Sequence, residues 1–456
     1  MRFVFPLMAM MIPISAHSQI SVGEDQPVIV RSRYRGWDSQ RLSNGLIELQ
    51  IVPEIGGRVM QYRLGEKEFL WVNPQLAGKL PPPGGVGPDG GWLNYGGDKL
   101  WPAPQGWDND QQWPGPPDAM LDGFPYAVEI LGPEAGIRLT SGNDPLSGIR
   151  FSRTIRIFPG STHVRFAATM TNVDTKPRRW GIWAHTQLDA SRADGQGYNP
   201  RMSAWCPLNP QSHFARGYRV IFGAEDNPSF QADRGLLHAS YRYQVGKIGV
   251  DSRAGWVATV DGACGLAFVQ RFQFEPDKEY PDGSSVEFWH NGVGKIRAYN
   301  KELIMLDDPV ENPFVFESEV LSPFARLLPG EAYTWHYDWY AANLGGDGPV
   351  VDCSDAGVVA ERLQASLAGG QINVRGRFGV FAPAVARLIF LGADGSRLHV
   401  WDRPERATPL EPLVLQTTLQ APDGAVAVAL VLLAADGRIL GQLGKAKIEG
   451  APAPRR

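Results

Sequence analysis

The sequence of 456 residues has little cysteine, no run of basic residues and few patterns typical of amphipathic helices. Its three cysteines, Cys206, Cys264 and Cys353, do not lie at a metal-binding spacing, which leaves one disulfide or free thiols as alternatives. The 44 Lys and Arg residues against 48 Asp and Glu residues give a net charge of −4. A basic surface for nucleic acid is therefore not indicated, and we expect no nucleic-acid partner.

Several common enzyme motifs are also absent. The chain has no P-loop, no dinucleotide-binding fingerprint and no nucleophile elbow. The segment "EPDKEYPDGSS" places Asp282 among acidic residues and glycine, but its prolines and spacing do not match an EF-hand. We therefore expect neither a bound metal nor a cofactor.

The first 18 residues, "MRFVFPLMAMMIPISAHS", have the order of a secretory signal peptide. Arg2 supplies the charged start, Phe3 to Ile14 form an apolar segment, and Ala16-His17-Ser18 resembles a cleavage site. An uncleaved membrane anchor is the alternative. The later apolar run at 425–435 is about half as long as a membrane helix requires. We expect a periplasmic or extracellular protein without membrane association after cleavage.

Short alternating apolar segments separated by Gly, Pro, Asn and Asp recur along the chain and predict an all-β fold, a sandwich or a barrel. A Gly-rich and acidic stretch, "NLGGDGPVVDCSD", predicts a boundary at 343–355. Thirteen of the fourteen tryptophans precede residue 350. We expect a first domain over 28–345 and a small immunoglobulin-like β-sandwich over 350–447, with the functional site in the first domain.

Two strand-like segments carry unusual polar faces. In "RRWGIWAHTQLD", alternation places Trp183, His185 and Gln187 on one face, which resembles the floor of a polar cleft. A satisfied surface or core histidine is the alternative. In "NPFVFESEVLSP", Glu317 and Glu319 share a face, and neighbouring carboxyl groups suit acid–base chemistry. A solvated acidic face is the alternative there.

Further candidate binding residues lie in three loops or turns. The stretch "WLNYGGDKLWPAPQGW" at 92–107 is rich in aromatic residues, which can stack on sugar rings, and in groups that bond hydroxyls. A packed lid over the core is the alternative. Arg58 follows two glycines, and Arg offers forked donors for hydroxyls or carboxylates. The candidate substrate-binding residues outside the two strands are Arg58, Tyr95, Asp98, Lys99, Trp101, Gln105, Asp282 and Glu287.

From about residue 28 to 345 the order of these motifs resembles the galactose mutarotase-like (aldose 1-epimerase) superfamily. The segments "NYGGDKLWPAPQ", "YPDG" and "ESEVLSPFARLLPGE" are similar to a bacterial branch of it. The matching positions are Gly57-Arg58, Leu93 to Gly97, Thr171-Asn172, Ala184-His185-Thr186, Glu319, Pro323 and "LLPGEAYTWHYDWY".

The resemblance implies a large antiparallel β-supersandwich with a concave sugar-binding face. It also implies that His185 is the general acid that protonates the ring oxygen and that Glu319 is the base, without a cofactor. The sequence leaves three functions open. The chain could interconvert sugar anomers, bind a monosaccharide or oligosaccharide without catalysis, or cleave glycosides as a hydrolase or lyase in the same cleft.

Overall fold

A computed structural model describes residues 26–134, 136–401 and 405–451. These residues form 33 strands and two short helical turns, Ala119–Gly123 and Pro281–Gly283, which confirms the predicted all-β fold. In these ranges the model contains no helix with the length and apolar character needed to cross a membrane. The predicted signal peptide at 1–18 lies outside the described residues.

The described residues before 345 form 24 strands. They are β1 (Val28–Tyr34), β2 (Trp37–Ser43), β3 (Ile47–Val52), β4 (Arg58–Leu64), β5 (Lys67–Glu68), β6 (Asp98–Ala103), β7 (Ala127–Gly132), β8 (Gly136–Thr140), β9 (Ile149–Ile157), β10 (Val164–Asn172), β11 (Arg178–Asp189), β12 (Met202–Pro207), β13 (Arg219–Gly223), β14 (Phe230–Asp233), β15 (Leu236–Ser240), β16 (Gly246–Val250), β17 (Trp256–Asp261), β18 (Leu266–Phe272), β19 (Val286–His290), β20 (Gly294–Ala298), β21 (Lys301–Met305), β22 (Val315–Leu321), β23 (Ala325–Leu327) and β24 (Ala332–Asn343).

These strands form two large antiparallel sheets and one hairpin. The first sheet has the order β1-β2-β3-β4-β6-β11-β22-β19-β16-β13, with β5 beside β4 and β23 beside β11. The second has the order β14-β15-β12-β17-β18-β24-β10-β9-β8-β7, and β20 pairs only with β21. Side chains of both large sheets meet in one apolar cluster, which includes Ile182 and Val320 of the first sheet and Phe166 and Trp339 of the second.

Strand alternation explains why this core forms. In β9, "IRFSRTIRI", the odd positions Ile149, Phe151, Ile155 and Ile157 are buried apolar side chains, whereas Arg150 and Arg156 are exposed. Period-two patterns of this kind place one face of a strand in a sandwich core. The large antiparallel β-sandwich predicted from the sequence is therefore confirmed.

The last part of the chain forms nine further strands around a second apolar cluster. They are β25 (Asp352–Cys353), β26 (Gly357–Ala368), β27 (Gln371–Val380), β28 (Ala384–Leu391), β29 (Arg397–Val400), β30 (Glu405–Ala407), β31 (Leu413–Gln420), β32 (Ala427–Leu433) and β33 (Ile439–Glu449). All pair in antiparallel fashion except β26 with β33, which meet in parallel at Ala365 and Ser366. This arrangement fits the small β-sandwich expected after the boundary.

An apolar cluster joins the two parts of the chain. Tyr340 of β24 stacks on Phe381, with ring centroids 4.3 Å apart, and both side chains are buried. The backbone N–H of Thr162 donates to the Phe381 carbonyl over 2.8 Å. The division at 345–350 stays a prediction, but these contacts indicate that the two parts stabilise each other.

We expect Phe381→Ala to lower the free energy of unfolding by about 3–5 kcal/mol, because it opens a cavity between the two parts. The measurement is urea unfolding followed by tryptophan fluorescence, which reports mainly on residues before 350. The control is Leu398→Ala, whose side chain is 43% exposed. A tryptophan transition unmoved by Phe381→Ala would show that the parts unfold independently.

Candidate functional site

A polar cluster lies on the outer face of the first sheet, opposite the sandwich core. It crosses five neighbouring strands, β6, β11, β22, β19 and β16. The side chains that meet there are Lys99, Trp101, Trp183, His185, Gln187, Lys247, Glu287, Glu317 and Glu319. All of them are buried, so the centre of this sheet is covered on both faces.

Alternation along β11 places its core side chains and its candidate-site side chains on opposite faces of the sheet, as the sequence predicts. Ile182 and Ala184 belong to the sandwich core, and the Thr186 hydroxyl donates to Asp98 on the inner side over 2.8 Å. The odd residues therefore point outward. His185 pairs with Lys99 of β6 in the sheet register, and Gln187 pairs with Glu317 of β22.

The imidazole of His185 contacts two carboxyl groups. Its Nε2 lies 3.1 Å from Glu317 Oε2 and 3.6 Å from Glu319 Oε1. The side-chain amide of Gln187 donates to Glu317 Oε1 over 2.7 Å. Glu317 is thus held from two sides, and its position relative to the imidazole is fixed.

Lys247 provides the positive charge of the cluster. Its Nζ lies 2.8 Å from Glu287 Oε2 and 3.1 Å from Glu319 Oε2. The same ammonium lies 3.9 Å from the centre of the Trp183 ring, a cation–π distance. Lys247, on β16, therefore interacts through its charge with side chains on β19, β22 and β11.

Burial shifts the protonation equilibria of these groups. Burial raises the pKa of Glu317 and of Glu319 to about 7 each, although Lys247 opposes the shift. Burial likewise raises the pKa of Glu287 to about 8. Burial alone would lower the pKa of Lys247, but Glu287 and Glu319 outweigh it and raise that pKa above its ordinary value. The cluster therefore favours a charged lysine and protonated carboxyl groups near neutral pH.

The pKa of His185 lies well below its ordinary value because of burial and, after that, the charges of Lys99 and Lys247. Burial and the nearby Arg58 lower the pKa of Lys99 to about 7. The 3.1 Å contact between His185 and Glu317 therefore joins an imidazole whose neutral form is favoured to a carboxyl group whose protonated form is favoured, rather than a full ion pair.

A cavity of about 530 Å³ opens above this cluster. Its floor includes Trp183, His185, Gln187, Lys247 and Glu317. Other polar lining groups come from loops and are Asn73, Gln75, Asn94, Gln105, Asn291, Glu311 and Asn312. The opposite wall comes from the β20–β21 hairpin and the segment that follows it, and is lined by Ile296, Ala298, Tyr299, Leu303, Met305 and Val310. A volume of this size is typical of small-molecule sites.

The aromatic segment 92–107 serves both as cover and as wall. Gly96 and Gly97 have φ of +89° and +73°, and a Cβ on Gly96 would lie 2.2 Å from the Trp71 carbonyl oxygen. Glycine at these positions therefore lets the segment pack closely on its neighbours. Trp101 is buried, and its ring centroid lies 4.0 Å from that of His185. Trp107 is half-buried and also lines the cavity.

Six predicted residues line the cavity: Trp101, Gln105, Trp183, His185, Gln187 and Glu317. Two others lie behind it. Lys99 lies 3.3 Å from Asp122, and Arg58 lies 3.2 Å from the same carboxylate oxygen. The Arg58 guanidinium also donates to the carbonyls of Ile55 and Gly96. Arg58 thus fixes Asp122 and the nearby loop rather than reaching the cavity.

Three further predicted residues do not line the cavity. Asp98 faces the sandwich interior, where it pairs with Arg153, because it alternates with Lys99 along β6. Tyr95 packs with Trp37 in a separate apolar cluster at the sheet edge. Glu319, expected as the catalytic base, lies fully buried below Lys247 and His185, and Glu317 is the carboxyl group that lines the cavity.

Asp282 and Glu287 line a smaller space beside the main cavity, together with Gln105 and Lys247. Glu287 pairs with Lys247, and Asp282 lies 3.7 Å from Arg219. Both carboxyl groups therefore lie beside the main cavity without lining it.

Sequence reasoning missed Lys247 as well as the apolar wall. A lysine at the centre of "VGKIGV" is unusual in a fully buried strand, and this was the available signal. Trp289, on the same face as Glu287, also lines the cavity, whereas the adjacent His290 is buried in the core. The cysteines Cys206, Cys264 and Cys353 form no disulfide.

His185, Glu317 and Glu319 could each offer one ligand atom to a metal, and these atoms lie within 4.8 Å of one another. Two features oppose a metal. Lys247 already places an ammonium 3.1 Å from Glu319, and His185 Nδ1 has no hydrogen-bond partner among the described residues to orient the ring. The negative charge of the carboxyl groups is instead neutralised by Lys247 and by protonation.

A second cavity of about 1020 Å³ lies at the junction with the C-terminal strands. Its tryptophans, Trp205 and Trp256, are buried, and Arg201 and Arg362 are paired with Asp347 and Asp352. It lacks a convergent set of buried titratable groups like that beside His185. The cavity on the first sheet is therefore the better candidate site.

A family model described as "Domain of unknown function (DUF4380)" matches residues 38–342, which include every strand of the polar cluster. Among curated proteins, none matches the sequence.

Several solved structures are similar in fold, and galactose mutarotase-like proteins are among them. One from Lactobacillus casei is 11% identical, with 66% of this chain and 99% of that chain covered and a TM-score of 0.42. One from Clostridium acetobutylicum is 11% identical, with 70% and 99% covered and a TM-score of 0.40. A TPR-domain containing protein from Parabacteroides distasonis is 14% identical, with 69% of this chain covered and a TM-score of 0.43; this chain spans 48% of its length.

The raised pKa of Glu287 predicts a specific pH dependence of stability. Because this pKa rises from 4.5 to about 8 on folding, the carboxyl group stays protonated to a higher pH in the folded chain than in the unfolded chain. The carboxyl group therefore stabilises the fold at low pH, and this contribution is lost as pH rises through about 8. Glu287→Gln removes that loss, because an amide does not ionise.

We expect wild type and Glu287→Gln to have similar melting temperatures at pH 5. At pH 9 we expect the variant to have the higher melting temperature. The measurement is thermal unfolding across this range, with the exposed Glu311 changed to Gln as the control. A difference that stays constant with pH would contradict the assignment of Glu287 as a buried protonated group.

Proposed function

We propose that this chain, which belongs to the DUF4380 family, is an exported protein that binds carbohydrate in the cavity on its first sheet. The observation that carries the proposal is the combination of tryptophan rings and convergent polar groups on one cavity floor. Export to the periplasm or the extracellular space rests on the signal-like residues 1–18.

The polar groups of the cavity suit hydroxyl groups. Gln187 Oε1 and His185 Nδ1 are buried and have no hydrogen-bond partner in the described part of the chain. Asn and Gln side chains, which both donate and accept, line the walls, and they match the paired donor and acceptor character of a hydroxyl. Buried polar groups without partners are costly unless a ligand or water satisfies them.

The charge of the cavity favours a neutral sugar. Lys247 is paired with Glu287 and Glu319, and burial favours the neutral forms of His185 and Glu317. No uncompensated arginine or lysine lines the floor within the described ranges, so a carboxylate or phosphate would find no strong partner there. The partner that fits is a small-molecule or oligosaccharide carbohydrate.

We expect Trp107→Ala to weaken sugar binding by about 1–3 kcal/mol, by analogy with base stacking on aromatic rings, while stability stays nearly unchanged. Trp101→Ala should instead lower stability, since Trp101 is buried against Trp113, with ring centroids 4.9 Å apart. The measurements are calorimetric titration with a panel of neutral monosaccharides and disaccharides, and thermal unfolding.

Gln187→Ala should also weaken binding, and the exposed Gln364→Ala is its control. The absence of binding across the whole panel, or equal binding by Trp107→Ala and wild type, would contradict the proposed site.

Anomer interconversion is a second candidate function, favoured by the contact between His185 and Glu317. Mutarotation needs one group to protonate the ring oxygen while another takes the proton of the anomeric hydroxyl. The two sugar oxygens are bonded to the same carbon, so an acid and a base 3.1 Å apart can reach both. In the protonation state that burial favours, Glu317 donates and the neutral His185 accepts.

The geometry favours a glycoside hydrolase less. A hydrolase places two carboxyl groups on either side of one glycosidic bond. Glu317 and Glu319 instead project from one strand toward the same His185 nitrogen.

If the chain is an isomerase, we expect Glu317→Gln and His185→Ala each to slow anomer interconversion by about 10²–10⁴-fold, with sugar affinity changed only a few-fold. The rate should fall as pH rises above about 7, because Glu317 loses its proton there. The measurement is polarimetry of freshly dissolved sugars, with Glu66→Gln, at an exposed position outside the cavity, as the control. Sugar binding without any acceleration by wild type would leave non-catalytic binding as the function.

A further inference from the structure

We propose that the ligand of this cavity is a sugar that carries an apolar substituent, and that the β20–β21 hairpin binds the substituent. This inference rests on the proposed carbohydrate binding and adds the chemical class of the ligand. The observation behind it is the contrast between the two sides of one cavity: a hydrogen-bonding floor and an apolar wall.

The apolar wall follows from strand alternation in the hairpin. Ile296 and Ala298 on β20, and Leu303 and Met305 on β21, all line the cavity. The intervening residues point away, because Ile304 is 62% exposed and the exposed Lys295 and Glu302 pair over 3.1 Å. The side chains that meet the ligand space are therefore the apolar ones, although the hairpin also carries charged residues.

Aromatic rings extend this wall at the cavity mouth. Trp107 lies 5.0 Å from Tyr299 and 6.2 Å from Phe222, measured between ring centroids, and Phe222 lies 6.2 Å from Trp289. The Tyr299 hydroxyl donates to the Pro116 carbonyl over 2.6 Å, which ties the hairpin turn to the loop below it. The wall is thus held in place before a ligand arrives.

The hairpin's own packing accounts for only part of this apolar surface. Ile296 and Ala298 are buried in a cluster with Val245, as a folded hairpin requires. Leu303 and Met305 are half-buried and still line the cavity. A free hexose would place hydroxyl groups against these side chains without hydrogen-bond partners, whereas an alkyl or aryl substituent would remove apolar surface from water on both sides.

The test uses three derivatives each of glucose and galactose: the methyl glycoside, the phenyl glycoside and a 6-O-hexanoyl ester, with the free sugar as reference. The two attachment points present the apolar group from two different positions on the sugar ring. We expect at least one derivative with an apolar group to bind about ten- to a hundredfold more tightly than the free sugar and the methyl glycoside. Calorimetric titration measures the affinities.

Two variants on one strand locate the effect. Leu303→Ser should lower the ratio of the affinity for the apolar derivative to the affinity for the free sugar or methyl glycoside several-fold or more. Ile304→Ser, one residue along β21 but on the exposed face, should change neither affinity.

The outcomes separate this inference from the function on which it rests. Equal affinity for plain and substituted sugars overturns the apolar-substituent inference and leaves carbohydrate binding intact. Binding of phenol and hexanoate as tightly as the substituted sugars, with no binding of plain sugars, overturns carbohydrate binding itself. A gain that survives Leu303→Ser shows that the substituent lies elsewhere and overturns the role of the hairpin.

Discussion

The charge interactions of the Lys247 ammonium group are those on which the rest of the site depends. Three glutamates, Glu287, Glu317 and Glu319, lie buried on the outer face of one sheet, and isolated ionised carboxylates cannot be buried without a counter-charge or a proton. Lys247 contacts two of the three directly. The remaining negative charge is avoided by protonation, which is why the pKa values of these carboxyl groups rise toward neutrality.

The protonation state of His185 follows from the same constraint. A histidine beside two carboxylates would normally be charged, since an opposite charge favours the imidazolium. Here burial and the neighbouring ammonium groups of Lys247 and Lys99 lower its pKa instead. The neutral forms of His185 and Glu317 are therefore favoured together, and the positive charge of the cluster resides on Lys247.

Sequence alone predicted the faces of individual strands but not which strands are neighbours. Alternation is a local property, so His185 with Gln187, and Glu317 with Glu319, could be placed on one face each. Lys247 joins the cluster because β16 and β19 follow β22 in the sheet, an order set by contacts distant in sequence. For the same reason alternation could not tell Glu317, which reaches the cavity, from Glu319, which lies under Lys247.

Asp98 shows a second limit of reasoning from the local sequence. The loop-like composition of the segment 92–107 suggested that all its residues share one role. However, β6 begins at Asp98, and adjacent residues in a strand point in opposite directions. Asp98 therefore pairs with Arg153 inside the sandwich, while Lys99 joins the outer cluster. Arg58 illustrates a third case, in which a residue expected to contact ligand orders its surroundings through Asp122.

The cover of the outer face connects recognition with proton chemistry. Strands of an antiparallel sheet commonly expose one face to water, but here the 92–107 segment and the β20–β21 hairpin close over it. Desolvation is the largest cause of the raised carboxyl pKa values, so the burial that encloses the cavity floor also sets the protonation of Glu317. A ligand that packs against the apolar wall would exclude more water and favour the neutral His185–Glu317 pair further. Occupancy of the apolar side and the protonation of the floor are therefore thermodynamically linked.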